Sequence, residues 1–236
     1  MTKDWLTIKN APWALGLLLL LCLFVFQSAG LPDRLELWLY DQAVTTWPAP
    51  VSEKVAVVAI DEYSLSQLGR WPWPRKRHAQ LIDELYEAGA EAVVIDLLFP
   101  EPHADDPTLA AAMSRHGRVA LPVFLSANPP HQLIREQLPT PELATAASAL
   151  GHVHVELDSD SVARGIYLRN GMANRLWPTL ALAQQSLHLP LPENDVPAYV
   201  NVRADYRKVP LAGAAGTIPS TSYAAVLEGS HSDEMF

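Results

Sequence analysis

The sequence predicts an α/β chain, with one N-terminal transmembrane helix followed by an extracytoplasmic α/β domain that has a partly parallel sheet and is truncated at its C-terminus. Three observations carry this expectation. Residues 10–32 form an uncharged run of 23 residues whose centre is almost wholly Leu, Phe, Val and Ala. Two β-branched stretches, KVAVVAI at 54–60 and AVVIDLL at 92–98, flank a helical pattern at 75–88. Strand, helix and strand in so short a span make a βαβ unit with parallel strands and a right-handed crossover. The chain also stops at Met235 and Phe236, an apolar pair unlike a tail, so the expectation is of a fragment.

The uncharged run comes first. At about 1.5 Å rise per residue it covers the roughly 30 Å hydrocarbon core of a bilayer. Trp5 and Trp13 sit on its near side and Trp38 and Tyr40 beyond its far side, as interfacial aromatics do. Lys3, Lys9 and Asp4 precede it, whereas Asp33, Arg34, Glu36 and Asp41 follow. The positive-inside rule then puts residues 1–9 in the cytoplasm and the bulk of the chain outside. Small residues at Gln27-Ser28-Ala29-Gly30 leave a cleaved signal peptide as the competing reading, and the length of the apolar core favours an uncleaved anchor.

A juxtamembrane helix and linker are expected over 33–53. Leu31, Leu35, Trp38 and Leu39 form an apolar stripe on a short helix at 31–40, and Pro48 and Pro50 mark the linker. The main domain starts at 54, where the buried strand 54–60 ends at Asp61 and Glu62. The loop Gly69-Arg70-Trp71-Pro72-Trp73-Pro74 leads into the helix 75–88, whose His78, Leu81, Ile82 and Leu85 share a face and whose stop is Gly89. After the strand 92–98 come a helix at 106–116, a strand at 118–125, a loop at 126–141 and a short helix at 142–150 stopped by Gly151. Strands at 152–157 and 165–169 flank Asp158-Ser159-Asp160-Ser161 as a hairpin. A helix at 177–187, a strand at 198–202 and a capped helix at 220–227 ending at Gly229 complete the pattern.

Composition removes several function classes. The net charge of −9 and pI near 5.3 argue against nucleic acid, whose phosphates call for clustered Lys and Arg. The one cysteine, Cys22, lies inside the apolar run, so the rest of the chain holds neither a disulfide nor a thiolate metal site. No nucleophile elbow, phosphate loop, HExxH or dinucleotide motif is present, so no catalytic residue, metal or cofactor is assigned. Asp158-Ser159-Asp160 lacks the glycine and distal glutamate of a calcium loop. His152 and His154 share a strand face without a third ligand.

A candidate ligand site remains. Parallel connectivity puts Asp61 and Asp96 at the carboxyl edge of the sheet, where open α/β sheets place their ligand crevices, with Glu62, Glu101, Asp105 and Asp106 in the following loops. Trp71 and Trp73 would wall that edge, and Arg75 would pair with a ligand anion or hold Asp96 in place. The bland alternative is a sealed edge in which these carboxylates cap loop amides or pair with Arg75 and Arg77.

The blocks LELWLYD at 35–41, VAVVAIDEYSLSQLGRWPWPR at 55–75 with His78, VVIDLLFPEP at 93–102, LGHVHVELDSD at 150–160 and Val162-Ala163-Arg164 resemble the type-two CHASE domain of bacterial receptors, a cyclase- and histidine-kinase-associated sensing extracellular domain. The resemblance runs from Leu31 onward. It departs at Ser161, where the family usually has glycine after the Asp-x-Asp pair. It implies a periplasmic sensing domain of an inner-membrane receptor. The implied partners are an unknown small-molecule or protein signal, a cytoplasmic output module in cis and a second copy in a homodimer. An anchored periplasmic enzyme using Asp61 and Asp96 with a metal, or a module that mainly dimerises, stays open as an alternative.

Overall fold

The structure is a computed structural model that describes residues 11–128, 133–185, 201–214 and 216–229. The expected cytoplasmic residues 1–9, the end of the 177–187 helix, the start of the 198–202 strand and the terminus at Met235 and Phe236 lie outside them. The chain divides into two units, Met1–Pro50 with Pro210–Ala214 and Val51–Val209 with Ala215–Phe236. The division falls three residues before the domain start at 54 expected from the sequence.

In the first unit, α1 (Ala11–Ser28) is apolar on all sides, and Gly30, left-handed at φ 63, separates it from α2 (Leu31–Thr46). The helix expected to continue through Pro32 therefore breaks two residues earlier, and the juxtamembrane helix runs six residues further than 40. Among the described residues no single helix is long and apolar enough to cross a membrane. The segments Leu15–Ser28 and Leu31–Thr46 meet that test together, bent by 61°. Ala49 N–H donates to the Leu211 carbonyl (3.0 Å), tying the linker to the Pro210–Ala214 segment.

The second unit is a mixed α/β domain. In chain order it holds β1 (Val57–Ala59), α3 (Glu62–Leu68), α4 (Arg75–Glu87), β2 (Val93–Val94), α5 (Asp106–His116), β3 (Val119–Asn128), β4 (Leu133–Gln137), α6 (Pro141–Ala146), β5 (Ala149–His152) and β6 (Glu156–Leu157). Then follow β7 (Ala163–Met172), β8 (Arg175–Pro178), α7 (Leu180–Gln184), β9 (Asn201–Lys208), β10 (Ser220–Ser222) and α8 (Tyr223–Leu227). β2 and β5 lie parallel to β3, which also pairs antiparallel with β4. β7 is paired antiparallel by β9, β6 and β8.

The parallel pairing is present but its partners differ from the sequence expectation. β1 pairs with β10, Val57 opposite Ser220, rather than with β2. Residues 220–222 are therefore strand, and the capped helix expected from 220 begins at Tyr223. The expected loop 126–141 contains β4, and residues 175–178, partly assigned to a helix, form β8. The helices at 75 and 106 match closely, because each has a strong apolar face and a glycine stop.

One core serves this domain: Ile82 and Leu85 of α4, Leu109 and Met113 of α5, Val119 and Leu121 of β3, Leu143 of α6, and Tyr223 and Val226 of α8. α7 packs so closely on β5 that a Cβ at Gly151 would stand 2.5 Å from Leu180 Cα, which explains glycine at that strand position.

The 158–162 turn also has a conformational demand. Asp158 N–H donates to the Val162 carbonyl (3.0 Å), Ser161 N–H donates to the Asp158 carbonyl (2.9 Å), and Ser161 adopts φ 64. The left-handed geometry expected of glycine here is thus met by serine, at a cost of about 1 kcal/mol relative to glycine. Replacing it, Ser161→Gly, should raise the stability of the full chain by about 0.5–1 kcal/mol in denaturant titration, the relieved strain outweighing glycine's extra unfolded-state entropy. Equal or lower stability would show that the turn carries no strain.

Candidate functional site

The loop between α3 and α4 is rigid and aromatic. Trp73 is buried, and its indole Nε1–H donates to the Gly69 carbonyl (2.8 Å). Trp71, whose bond to Pro72 is cis, is 38 % exposed and meets Trp73 edge-on at 5.3 Å and His78 at 5.8 Å. Arg77 Nη1 donates to the Leu68 carbonyl (2.6 Å), closing the loop from behind.

Arg75, the first residue of α4, points inward. Its guanidinium forms an ion pair with Asp106, donates to the Glu101 carbonyl and lies over the Phe99 ring at 5.1 Å. Both charged partners are buried, Arg75 at 8 % and Asp106 at 4 % exposure. Asp106 Oδ2 also accepts from the Thr140 hydroxyl (3.1 Å) and the His103 N–H (3.2 Å). Of the two roles expected for Arg75, meeting a ligand anion or holding Asp96, the second is not found: Arg75 pairs with Asp106, which opens α5 beside the start of α4, and Asp96 faces water.

Asp61 and Asp96 follow different ladders and do different things. Asp61 caps α3, accepting from Ser64 N–H (2.8 Å) and from the Ser222 hydroxyl (2.8 Å). These bonds, the Ser64 contacts foremost, hold its carboxyl below the usual range. Asp96 is exposed and makes no hydrogen bond or ion pair among the described residues. Trp71, Trp73 and Arg75 stand together. Asp61 is linked to them through α3, which it caps and whose C-cap Gly69 is the acceptor of the Trp73 indole, and through Ser222, the neighbour of Tyr223.

Tyr223 is the residue that local sequence reasoning missed. Its ring packs on Trp73 at 4.8 Å, and its hydroxyl lies 2.8 Å from His78 Nδ1. Beside it, Ala224 N–H donates to Ser64 Oγ (3.0 Å), and Ser64 Oγ lies 2.8 Å from Ser222 Oγ. No local pattern pairs a tyrosine at 223 with a histidine at 78. The missed helix α3 did leave a signal, since Asp61 stands at an N-cap position before EYSLSQL and the stop at Gly69.

The other candidate positions resolve locally. Asp158 and Asp160 both accept from buried Arg164: Nη1 lies 3.0 Å from Asp158 Oδ2 and Nη2 lies 2.8 Å from Asp160 Oδ2. The Arg164 bonds hold the Asp160 carboxyl down at about 2. The acidic pair is an arginine clamp. Among the described residues no group of three or more His, Cys, Asp or Glu could hold a metal ion. A shallow, open depression of about 650 Å³ lies between Ala147 and Leu150 on one side and Arg175 and Trp177 on the other, with none of the five predicted site residues on its wall.

Two buried histidines titrate low. Burial first, and the Arg75 charge second, bring His78 from 6.5 to about 4; burial likewise brings His152 to about 4. In the window between about 4 and 6.5 the unfolded chain binds protons that the folded domain refuses, so the stabilisation is complete above 6.5 and is lost as pH falls toward 4. Lowering the pH from about 7 to about 5 should cost about 2 kcal/mol for each histidine, and His78→Gln should remove roughly half of that slope in denaturant titrations. An unchanged slope in His78→Gln would contradict a neutral, desolvated His78.

No curated protein and no solved structure matches the chain. One family model does, that of the CHASE2 domain, over residues 17–236. That span takes in α2, the Asp61 cap, the Trp71 to Arg75 loop and α8. The family is one of sensory extracellular domains. With nearly its whole length matched, the chain belongs to the CHASE2 domain family.

Proposed function

We propose that this chain is the signal-receiving outer part of a bacterial inner-membrane receptor, with α1 as its anchor and an output module carried in the same protein. The output would be a cyclase, a diguanylate cyclase or phosphodiesterase, or a histidine kinase, and the receptor would work as a homodimer. The chain itself would catalyse nothing. The observation that carries the reading is the contact of Tyr223 with Trp73 and His78. It joins the loop that faces solvent at Trp71 to β10 and α8, the last described elements.

An anchor role for α1 is supported by its surface, since Leu17, Leu20 and Phe24 are more than half exposed and no charge interrupts it. A protein fused after Pro50 would then face the periplasm.

Within this reading the five candidate residues divide by exposure. Trp71 and Asp96 face outward and would meet the signal, whereas Asp61, Trp73 and Arg75 would hold the surface in place. Asp96→Asn and Trp71→Ala in the full receptor should leave stability within about 0.5–1 kcal/mol of the parent and abolish the signal response. Asp106→Asn, which strips a buried guanidinium of its counter-charge, should instead lower stability by about 3 kcal/mol. A normal response in both Asp96→Asn and Trp71→Ala would overturn the assignment of these two residues to signal contact.

A further inference from the structure

α2 has two unlike faces. Leu31, Leu35, Trp38 and Leu39 fall within one arc at positions i, i+4, i+7 and i+8, and they are 41 %, 49 %, 57 % and 53 % exposed. On the other side Leu37, Tyr40 and Val44 are partly covered, with Asp33 exposed among them. No residue of α2 is buried. The bare stripe is continuous in the chain with α1, whose apolar side chains are exposed along their length, across a break of only Ala29 and Gly30.

The bend fixes how far this stripe rises. From Leu31 to Leu39 a helix advances about 12 Å along its own axis. Turned 61° from α1, it climbs only about 6 Å along the α1 direction. The polar layer outside the hydrocarbon is about 5–7 Å thick on each side. With α1 along the membrane normal, the whole stripe stays inside that layer.

We infer that α2 is an interfacial helix, bedded by Leu31, Leu35, Trp38 and Leu39 in the outer headgroup layer of the membrane that α1 enters; this rests on the proposed anchor role of α1. Leucines supply the apolar area, and Trp38 supplies an amphipathic ring suited to that depth. The charges choose the lipid. Asp33, Glu36 and Asp41 outnumber Arg34, so the helix is repelled by anionic headgroups and beds in a zwitterionic surface.

The test is spin-label accessibility of the full chain in phosphatidylcholine nanodiscs. The native Cys22 reports on α1 in the parent chain. Leu35→Cys and Leu39→Cys, with Asp33→Cys on the opposite side, each on a Cys22→Ser background, report on the two faces of α2. Labels at 35 and 39 should show a severalfold greater preference for oxygen over a water-soluble nickel chelate than the label at 33, with no gain on adding anionic lipid. Equal nickel access at 33, 35 and 39, with Cys22 lipid-exposed, would overturn the interfacial helix and leave the anchor standing. Nickel access at Cys22 would overturn the anchor and the inference together. Dipolar coupling between Leu39→Cys labels of two chains would mean that a second copy covers the stripe, and would overturn the lipid assignment.

Discussion

Arg75 carries a charge that persists at any pH the domain meets, and it sits where water scarcely reaches. A guanidinium so placed costs several kcal/mol unless every side of it is met. Asp106 meets it at the head of α5, the Glu101 carbonyl accepts from it, and the Phe99 ring lies beneath it. Asp106 in turn is held by Thr140 ahead of α6. The starts of α4, α5 and α6 are thereby brought to one place, and the loop carrying Trp71 and Trp73 immediately before Arg75 has little freedom left.

That fixed loop is what Tyr223 rests on. The ring of Tyr223 against Trp73 and its hydroxyl at His78 set where α8 begins, and the Ser222, Asp61 and Ser64 bonds set where β10 ends. The parallel pair β1 and β10 therefore joins the strand that opens the domain to the last described strand. This is a short chain of contacts from a solvent-facing aromatic loop to the last described elements.

The local parts of this arrangement were legible in the sequence and the long-range parts were not. α4 and α5 could be placed to within a residue, since an apolar face and a glycine stop are local signals. Two seven-residue β-branched runs read as one paired unit, yet β1 is laddered to residues some 160 positions away, and periodicity carries no information about such a partner. A capped helix was expected from Ser220, and pairing of 220–222 with Val57 to Ala59 moves the helix start to Tyr223. Around the site, Trp71, Trp73 and Arg75 were legible because they are neighbours in the chain. Which carboxylate Arg75 meets, Asp96 or Asp106, is not written in local sequence; the packing of α4 on α5 decides it. Arg164 shows the same limit on a smaller scale: an acidic pair beside a strand could hold a cation, and here the cation is the strand's own arginine.

Through Tyr223 the loop before α4 and the β10–α8 segment are held as one unit. Amide hydrogen exchange of the full chain in nanodiscs, comparing the parent with Trp73→Leu, tests it most directly. Coupling through Tyr223 predicts faster exchange at residues 220–229 as well as 69–75, with β7 and β9 unchanged. Faster exchange confined to 69–75, with 220–229 as protected as in the parent, would contradict it.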